Sequence, residues 1–296
     1  MATPPEAHTQ RGTICLETAR ILSQRSLPGN QFILRVAAPR GAVRATPGAF
    51  AHLSCDPLIP MRRPLSIMRA DADGGWLEFL YKPIGVGLAL LAKRAPGETI
   101  SVLSPIGHGF ALDSSRPMVL AIAGGVGIPP VYFLAERLRR DAAYALKVFM
   151  GSEVPFPFPL CARRTPLEGL PGAASMAVAE LDAWSIPSAL ASNAALEGSF
   201  AGHVTELARL WLETQPAAEH ERIQVVGCGP HAMLRAAADL ARSFALPCQL
   251  AVEEFMACGV GGCAGCIVPL HRPEGIVMKR VCVDGPVFDA RELYPA

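Results

Sequence analysis

The chain has 296 residues, of which 51% are hydrophobic and 18% charged, and its net charge is +1. This composition excludes a disordered chain, and the lack of a basic excess argues against a nucleic-acid-binding protein. The length predicts about two domains, at roughly 150 residues each. The polar residues 1–10 lack the basic and apolar regions of a signal peptide, so we expect a soluble, cytoplasmic protein.

Short apolar runs separated by Gly and Pro fill the first part of the chain, residues 1–112. Three clear runs are Gln31–Ala37, Trp76–Tyr81 and Thr99–Leu103. Runs of this length with turn residues between them predict an all-β barrel or sandwich.

The second part, residues 113–248, repeats a strand–turn–helix pattern. The apolar run Met118–Ala123 precedes a glycine turn and a helical pattern over Val131–Arg140. A second unit places a strand at Arg222–Val226 and a helix near Ala232–Phe244. Such repetition predicts a parallel α/β domain.

One uncharged window, residues 117–135, is long enough to cross a membrane. Its middle, however, contains Gly124, Gly125, Gly127, Pro129 and Pro130. We therefore predict a buried strand, a turn and a helix start there, and no membrane span.

Two turns follow the predicted buried strands, and parallel sheets bind ligands at this edge. The first contains Gly124, Gly125 and Gly127, and it allows backbone amides to approach a pyrophosphate. It does not match the GxGxxG fingerprint, so a tight turn without a ligand remains equally open. The second turn is Cys228-Gly229-Pro230, in which the cysteine alone is more typical of a core thiol.

The last part, residues 249–296, is rich in Cys and Gly. Cys258, Cys263 and Cys266 have the spacing C-x4-C-x2-C, and Cys282 follows. This is the spacing of a plant-type [2Fe–2S] site, in which four thiolates bind two irons. Zinc and a set of buried thiols are the alternatives, although zinc sites usually show paired C-x2–4-C units. The nine cysteines are an odd number, which argues against a disulfide framework.

A short basic segment in the first part, Arg62-Arg63-Pro64-Leu65-Ser66, follows a proline-rich turn. An Arg and a Ser close together on a strand can hold a phosphate. By itself the segment is more typical of a solvated basic turn.

The order of these motifs carries a resemblance. RRPLSI, LYKPIGVG, SPIGHGF, AGGVGIPP, GCGP, EEFMACGVGGCAGC and VCVDGPVF follow one another along the chain. In this order the chain resembles the ferredoxin–NADP reductase superfamily, and within it the electron-transfer subunits of class 1B, NAD-dependent dihydroorotate dehydrogenases. The resemblance implies an antiparallel β-barrel that binds FAD (1–112), a parallel α/β domain that binds NAD (113–248) and a small [2Fe–2S] domain (249–296).

The resemblance also implies the role of individual residues, while no residue of this chain is expected to act as a catalytic acid or base. The residues implied to contact FAD are Arg63, Pro64, Leu65, Ser66, Leu80, Tyr81, Lys82, Gly87 and Leu88. Those implied to hold the nicotinamide nucleotide are Gly124, Gly125, Gly127, Cys228, Gly229 and Pro230. The implied cluster ligands are Cys258, Cys263, Cys266 and Cys282.

Three positions qualify the resemblance. Leu65 replaces an aromatic residue common in the flavin motif, which removes ring stacking. Leu88 replaces a Thr, which removes a hydroxyl donor. Glu153, after the strand that ends at Met150, would repel the 2′-phosphate of NADP and so favours NAD.

The implied activity is electron transfer in pyrimidine biosynthesis. The implied partner is an FMN-containing catalytic subunit that oxidises dihydroorotate, in a heterotetramer that delivers electrons to NAD⁺. An alternative is the small subunit of an NADH-dependent ferredoxin:NADP oxidoreductase or of a sulfide dehydrogenase. A non-catalytic redox sensor would explain the cysteines but not the turns that precede them.

Overall fold

A computed structural model describes residues 12–296. The prediction that residues 1–10 contain no signal peptide lies outside the described residues. The strands are β1 Cys15–Leu27, β2 Gln31–Ala37, β3 Phe50–Leu53, β4 Arg63–Asp71, β5 Trp76–Tyr81, β6 Thr99–Ile106, β7 Met118–Gly124, β8 Ala145–Gly151, β9 Leu160–Ala162, β10 Met176–Val178, β11 Ser188–Ser192, β12 Phe200–Ala201, β13 Ile223–Cys228, β14 Cys248–Ala251, β15 Ile267–Arg272, β16 Gly275–Arg280 and β17 Val287–Asp289. The helices are α1 Pro39–Arg44, α2 Gly85–Leu91, α3 Ile128–Leu138, α4 Ala179–Ala183, α5 Val204–Thr214, α6 Ala217–His220, α7 His231–Ser243, α8 Val281–Asp284 and α9 Ala290–Leu293.

The first six strands close into an antiparallel barrel in the order β1-β2-β5-β4-β3-β6. The long strand β1 pairs with both β2 and β6, and its register with β2 shifts between Ile21 and Ser23. Such a bulge bends a strand and increases its twist, which helps a sheet to close. Alternate side chains such as Leu34 and Val36 fill the interior. The predicted barrel is confirmed.

The second layer is a sheet of seven strands in the order β12-β11-β8-β7-β13-β14-β17, in which all strands but β17 are parallel. The central strand β7 is covered on both faces. Leu120 and Ile122 pack in the cluster that contains residues of α5 and α7, whereas Val119 and Ala121 pack in the cluster that contains residues of α3. This double burial explains why β7 is an uninterrupted apolar run.

The uncharged window forms the predicted strand, turn and helix start. Helix α3 begins at Ile128, three residues before the predicted start, because Pro129 and Pro130 lie in its first turn, where a missing N–H costs no hydrogen bond. No helix among residues 12–296 is long and apolar enough to cross a membrane.

The tail is continuous with the central sheet. Strand β14 pairs with β13, and β17 returns from the far end of the tail to pair with β14. The cysteine segment and the hairpin β15–β16 lie between them. The predicted boundary between residues 248 and 249 falls within β14, and the domain limits stay predictions.

Two sets of charged residues link elements of the barrel and of the α/β domain. Arg69 of β4 bridges the barrel to the α/β domain, with 2.6 Å from its Nη2 to Oε1 of Glu136 and 3.4 Å from its Nη1 to Oε1 of Glu180. Within the α/β domain, the Asp182 carboxylate accepts hydrogen bonds from the backbone and side chains of Arg164 and Thr165.

The order of the parallel strands defines where the sheet changes direction. From β7 the chain continues outward through β8, β11 and β12, and it then returns to the other side of β7 as β13 and β14. The carboxyl ends of β7 and β13 are therefore neighbours at a topological switch point, where open α/β sheets bind ligands.

Candidate functional site

The two turns at the switch point touch each other. A Cβ atom added to Gly127 would lie 2.4 Å from the backbone C and O of Cys228, and one added to Gly229 would lie 3.2 Å from the backbone N of Gly124. Gly125 has a φ of +54°, in the left-handed region that favours glycine. The helix α3 begins directly after the first turn, so its free N–H groups point towards the switch point.

A cavity of about 980 Å³ opens beside these turns. It is large for a small-molecule site, since such sites span roughly 300–1,000 Å³. The barrel, the switch point and the tail all contribute to its wall. The predicted site residues that line it are Arg63, Pro64, Ser66, Leu88, Cys228, Gly229 and Pro230.

The barrel side of the cavity carries two guanidinium groups. Arg62 donates hydrogen bonds to the backbone O and the Oγ of Ser101 and to the backbone O of His52. Arg63 Nη1 donates to the backbone O of Met61 at 2.8 Å. Neither arginine pairs with a carboxylate among residues 12–296. Both are half-buried, so the segment is not a fully solvated basic turn, and it offers positive charge to an anionic ligand.

Gly87 lies directly against this positive charge. A Cβ atom there would be 3.0 Å from Nε of Arg63, so a larger residue would displace the guanidinium. Gly124, Gly125 and Gly127 are likewise next to the cavity but do not form its wall.

Other predicted flavin residues lie behind the wall. Leu65 points into the barrel core, because alternate residues of a strand face opposite sides and Pro64 and Ser66 face the cavity. Leu80 and Tyr81 are also buried, and the Tyr81 hydroxyl donates to Oε1 of Gln24 at 3.0 Å. Lys82 is half-buried at the end of β5. Their contact with a cofactor stays a prediction.

The Cys228 thiol is buried, yet its residue contributes to the cavity wall. Burial, together with the charge of Glu253, raises the pKa of this thiol well above its usual value. Cys228 is therefore a neutral, buried thiol at pH 7, and its contact with a nicotinamide nucleotide stays a prediction.

The four cysteines of the tail are arranged as two pairs. Cys266 Sγ lies 3.4 Å from Cys282 Sγ, and both side chains are buried. Cys258 contacts Cys263, which is exposed. No group of three or more His, Cys, Asp or Glu among residues 12–296 is arranged to hold a single metal ion. Two pairs fit two irons with two thiolates each better than one tetrahedral zinc.

Backbone N–H groups surround the sulfur atoms. Those of Val260 and Gly265 donate to Sγ of Cys258 and Cys263 respectively, each at 3.4 Å. Burial alone would raise the pKa of Cys258, but hydrogen bonds from the backbone of Val260 and Gly262 and from Cys263 hold it at about 7. Burial and the contact with Cys266 raise the pKa of Cys282 to about 12. The loop thus already supplies donors that stabilise charge on sulfur, as a cluster site requires.

Several residues of the cavity wall carry no motif that predicts them from the sequence. Glu253, Glu254 and Phe255 line it from the tail, and His231 contributes the start of α7. His231 Nε2 lies 3.5 Å from Oε1 of Glu254, and Phe255 is 93% exposed. Their position directly before the cysteine motif or after the second turn was the available signal.

A polar cluster occupies the far end of the same sheet edge. Asn193 Nδ2 lies 3.3 Å from Oε1 of Glu153 and 3.1 Å from Nδ1 of His203. These residues follow β11, β8 and β12 respectively. Glu153 follows a strand adjacent to β7, and its effect on the choice between NAD and NADP stays a prediction.

Comparisons with known proteins agree with this geometry. Residues 253–294 match the family model described as the iron-sulfur cluster binding domain of dihydroorotate dehydrogenase B. Among solved structures, an NADH-dependent reduced ferredoxin-NADP oxidoreductase superposes with a TM-score of 0.74 at 22% identity, covering 94% of this chain and 90% of that one. The ferredoxin NADP⁺ reductase from Neisseria gonorrhoeae, with bound FAD and NADP, has a TM-score of 0.56 at 18% identity, covering 79% and 92%. At these identities the likeness shows the fold alone.

The sequence relatives extend over nearly the whole chain. The electron transfer subunit of dihydroorotate dehydrogenase B (NAD(+)) from Bacillus caldolyticus is 32% identical over 94% of this chain and 98% of its own length. The protein of the same name from Desulforamulus reducens is 29% identical over 91% of this chain and 95% of its own length. The chain therefore belongs to the family of electron transfer subunits of dihydroorotate dehydrogenase B (NAD(+)).

Proposed function

We propose that this chain transfers electrons from a dihydroorotate-oxidising partner subunit to NAD⁺ and binds FAD and one [2Fe–2S] cluster for that purpose. One observation carries the proposal: a single cavity is walled by the basic barrel strand, the switch-point turns and the segment that leads into the cysteines. The proposed sites for a flavin, a nicotinamide nucleotide and a cluster would therefore adjoin one another.

Each part of the site has a proposed occupant. Arg63, Ser66 and Leu88 would hold FAD, and the two turns Gly124–Gly127 and Cys228–Pro230 would hold the nicotinamide nucleotide. Cys258, Cys263, Cys266 and Cys282 would ligate the cluster. When bound, a flavin exchanges one or two electrons and a [2Fe–2S] cluster exchanges one, which is the chemistry needed between a one-electron carrier and NAD⁺.

The chain's own residues then bind and orient, without acting as acid or base. The guanidinium of Arg63, fixed by backbone carbonyl groups, offers charge to a pyrophosphate. The neutral thiol of Cys228 and the glycines beside it let a ring approach without repulsion. Backbone N–H groups stabilise the sulfur atoms of the cysteine loop.

The partner is proposed to be an FMN-containing catalytic subunit, in a heterotetramer located in the cytoplasm. Support comes from Cys263, which is exposed and would leave one side of the cluster open to an electron donor. The 32% identity to a dihydroorotate dehydrogenase B subunit favours this partner over that of a ferredoxin:NADP oxidoreductase, whose solved relative is 22% identical.

The test is the absorption spectrum of anaerobically purified protein before and after addition of NADH, with iron and sulfide analysis. We expect flavin and iron–sulfur absorbance that NADH bleaches. Cys263→Ala should lose iron with little effect on packing because Cys263 is exposed. The control Cys161→Ala, on the separate strand β9, should keep its iron. A protein that stays colourless after reconstitution with iron, sulfide and FAD would contradict the proposal.

A further inference from the structure

His52 is a buried histidine at the junction between the barrel and the cysteine loop. It lies in β3, where it faces Pro64 of the basic strand β4 across the sheet. Its side chain is fully buried, and neither ring nitrogen has a hydrogen-bond partner among residues 12–296. A buried polar group without a partner is destabilising, so it calls for an explanation.

The direction of the ring follows from the alternation along β3. Ala51 and Leu53 point into the barrel core, so Phe50 and His52 point outwards. Phe50 packs in the same apolar cluster as Cys266 and Cys282. The outer face of β3 therefore packs on an apolar cluster to which the tail contributes.

The ring lies against the peptide that follows the first cysteine of the motif. A Cβ atom added to Gly259 would lie 2.7 Å from Nδ1 of His52, so only glycine leaves room for the ring. Gly259 also has a φ of +68°, which fixes the loop in a left-handed turn at this contact. The loop and the ring thus meet directly, one residue from Cys258.

The ring has a hydrogen-bond donor to offer beside the cysteine loop. An imidazole carries at least one N–H group, whether it is neutral or charged. Neither nitrogen of the His52 ring makes a hydrogen bond within residues 12–296.

We propose that His52 is a positioning residue for the cluster. The N–H of its ring donates a hydrogen bond to sulfur held by the Cys258 loop, and this bond raises the reduction potential of the cluster. Donors directed at sulfur stabilise the extra negative charge of the reduced state. A hydrogen bond to a charged group is worth about a tenfold change in an equilibrium. The inference rests on the proposed function, because it requires the cluster to be bound.

The test compares three full-length variants by redox titration of the cluster, followed by electron paramagnetic resonance. His52→Phe keeps a ring but removes the donor, and it should lower the reduced-to-oxidised ratio at a fixed ambient potential by about tenfold. His52→Gln retains an N–H group and should recover part of that shift. His220→Phe is the matched control, because this half-buried ring contacts the backbone O of Leu212 and the ring of Phe244, which lie outside the cysteine segment. The reduction potential of the cluster should not change in this variant.

A second readout keeps the test valid if His52→Phe fails to assemble a cluster. In protein labelled with ¹⁵N-histidine, pulsed resonance of the reduced cluster should detect a weakly coupled imidazole nitrogen. This nitrogen signal should persist in His220→Phe, and it should vanish in His52→Gln.

Three results would be decisive. An unchanged potential in His52→Phe with full iron content, or no imidazole coupling in the unsubstituted protein, would overturn the role of His52 and leave the proposed function intact. Absence of any cluster signal from the unsubstituted protein after reconstitution would overturn the proposed function itself, and with it this inference.

Discussion

The substitution Gly127→Ala tests the contact between the two switch-point turns. Gly127 has φ −82° and ψ 0°, which alanine also adopts, so the change adds no left-handed strain. The added methyl group would lie 2.4 Å from the backbone of Cys228 and Gly229. Ordinary van der Waals contact begins near 3.4 Å, so the turns must separate by about 1 Å.

The expected cost follows from that displacement. Overpacking of this kind destabilises a protein by about 1–3 kcal/mol. A misplacement of about 1 Å at a reacting centre slows a reaction about 100-fold. We therefore expect NADH to reduce the bound flavin of Gly127→Ala about 100-fold more slowly, with a modest decrease in the melting temperature.

Stopped-flow absorbance of the flavin, at several NADH concentrations, measures this rate. The control is Gly172→Ala, because a methyl group at that loop position meets no atom within 4 Å. If Gly127→Ala were reduced by NADH at the unsubstituted rate, the two turns would not form the nucleotide site, and the reasoning from their contact would be refuted.

Three further predictions concern charged groups. Glu153→Gln should reduce the preference of kcat/KM for NADH over NADPH by about tenfold, since it removes the charge that repels a 2′-phosphate; an unchanged preference would place the ribose elsewhere. Arg69→Met should destabilise the fold by about 3 kcal/mol in thermal unfolding, because it leaves the half-buried Glu136 carboxylate unpaired and leaves Glu180 with only the Tyr132 hydroxyl. The exposed pair of Arg222 should cost at most about 1 kcal/mol in Arg222→Met. Asp182→Asn should destabilise by about 2 kcal/mol at pH 7. Burial acts to raise the pKa of Asp182, but its hydrogen bonds lower it overall. The stabilisation by its carboxylate is therefore present above about pH 4 and is lost as the pH falls below that value. If stability depended on pH equally in Asp182→Asn and the unsubstituted protein, this assignment would be contradicted.

The sequence predicted those parts of the molecule whose signals are local. The cysteine spacing and the buried run of β7 each lie within a few residues, so both could be interpreted without the fold. The predicted start of α3 was wrong by three residues, because the helical apolar pattern becomes visible only after Pro129 and Pro130, which lie in the first turn.

Features that depend on distant contacts could not be predicted. His52 belongs to a four-residue strand, and its ring meets a loop about 200 residues further along the chain. Leu65 is part of the predicted flavin motif, but its side chain faces the barrel core. Which residues of a strand face the core depends on how that strand pairs within the closed barrel. The direction of each side chain required the assembled structure.

The pairing of β17 with β14 has a consequence for cluster assembly. This pairing joins the two ends of the segment that contains all four cysteines. Next to it, the backbone N of Val252 donates a hydrogen bond to the backbone O of Pro286 at 3.0 Å. Closing a loop of this length from a free chain costs entropy that grows with the logarithm of its length. Here the pairing of β14 with β17 already joins the ends of the loop. Iron and sulfide therefore bind to a closed loop, and this entropy cost does not fall on cluster binding. Removal of β17 would therefore weaken cluster retention without altering a single ligand.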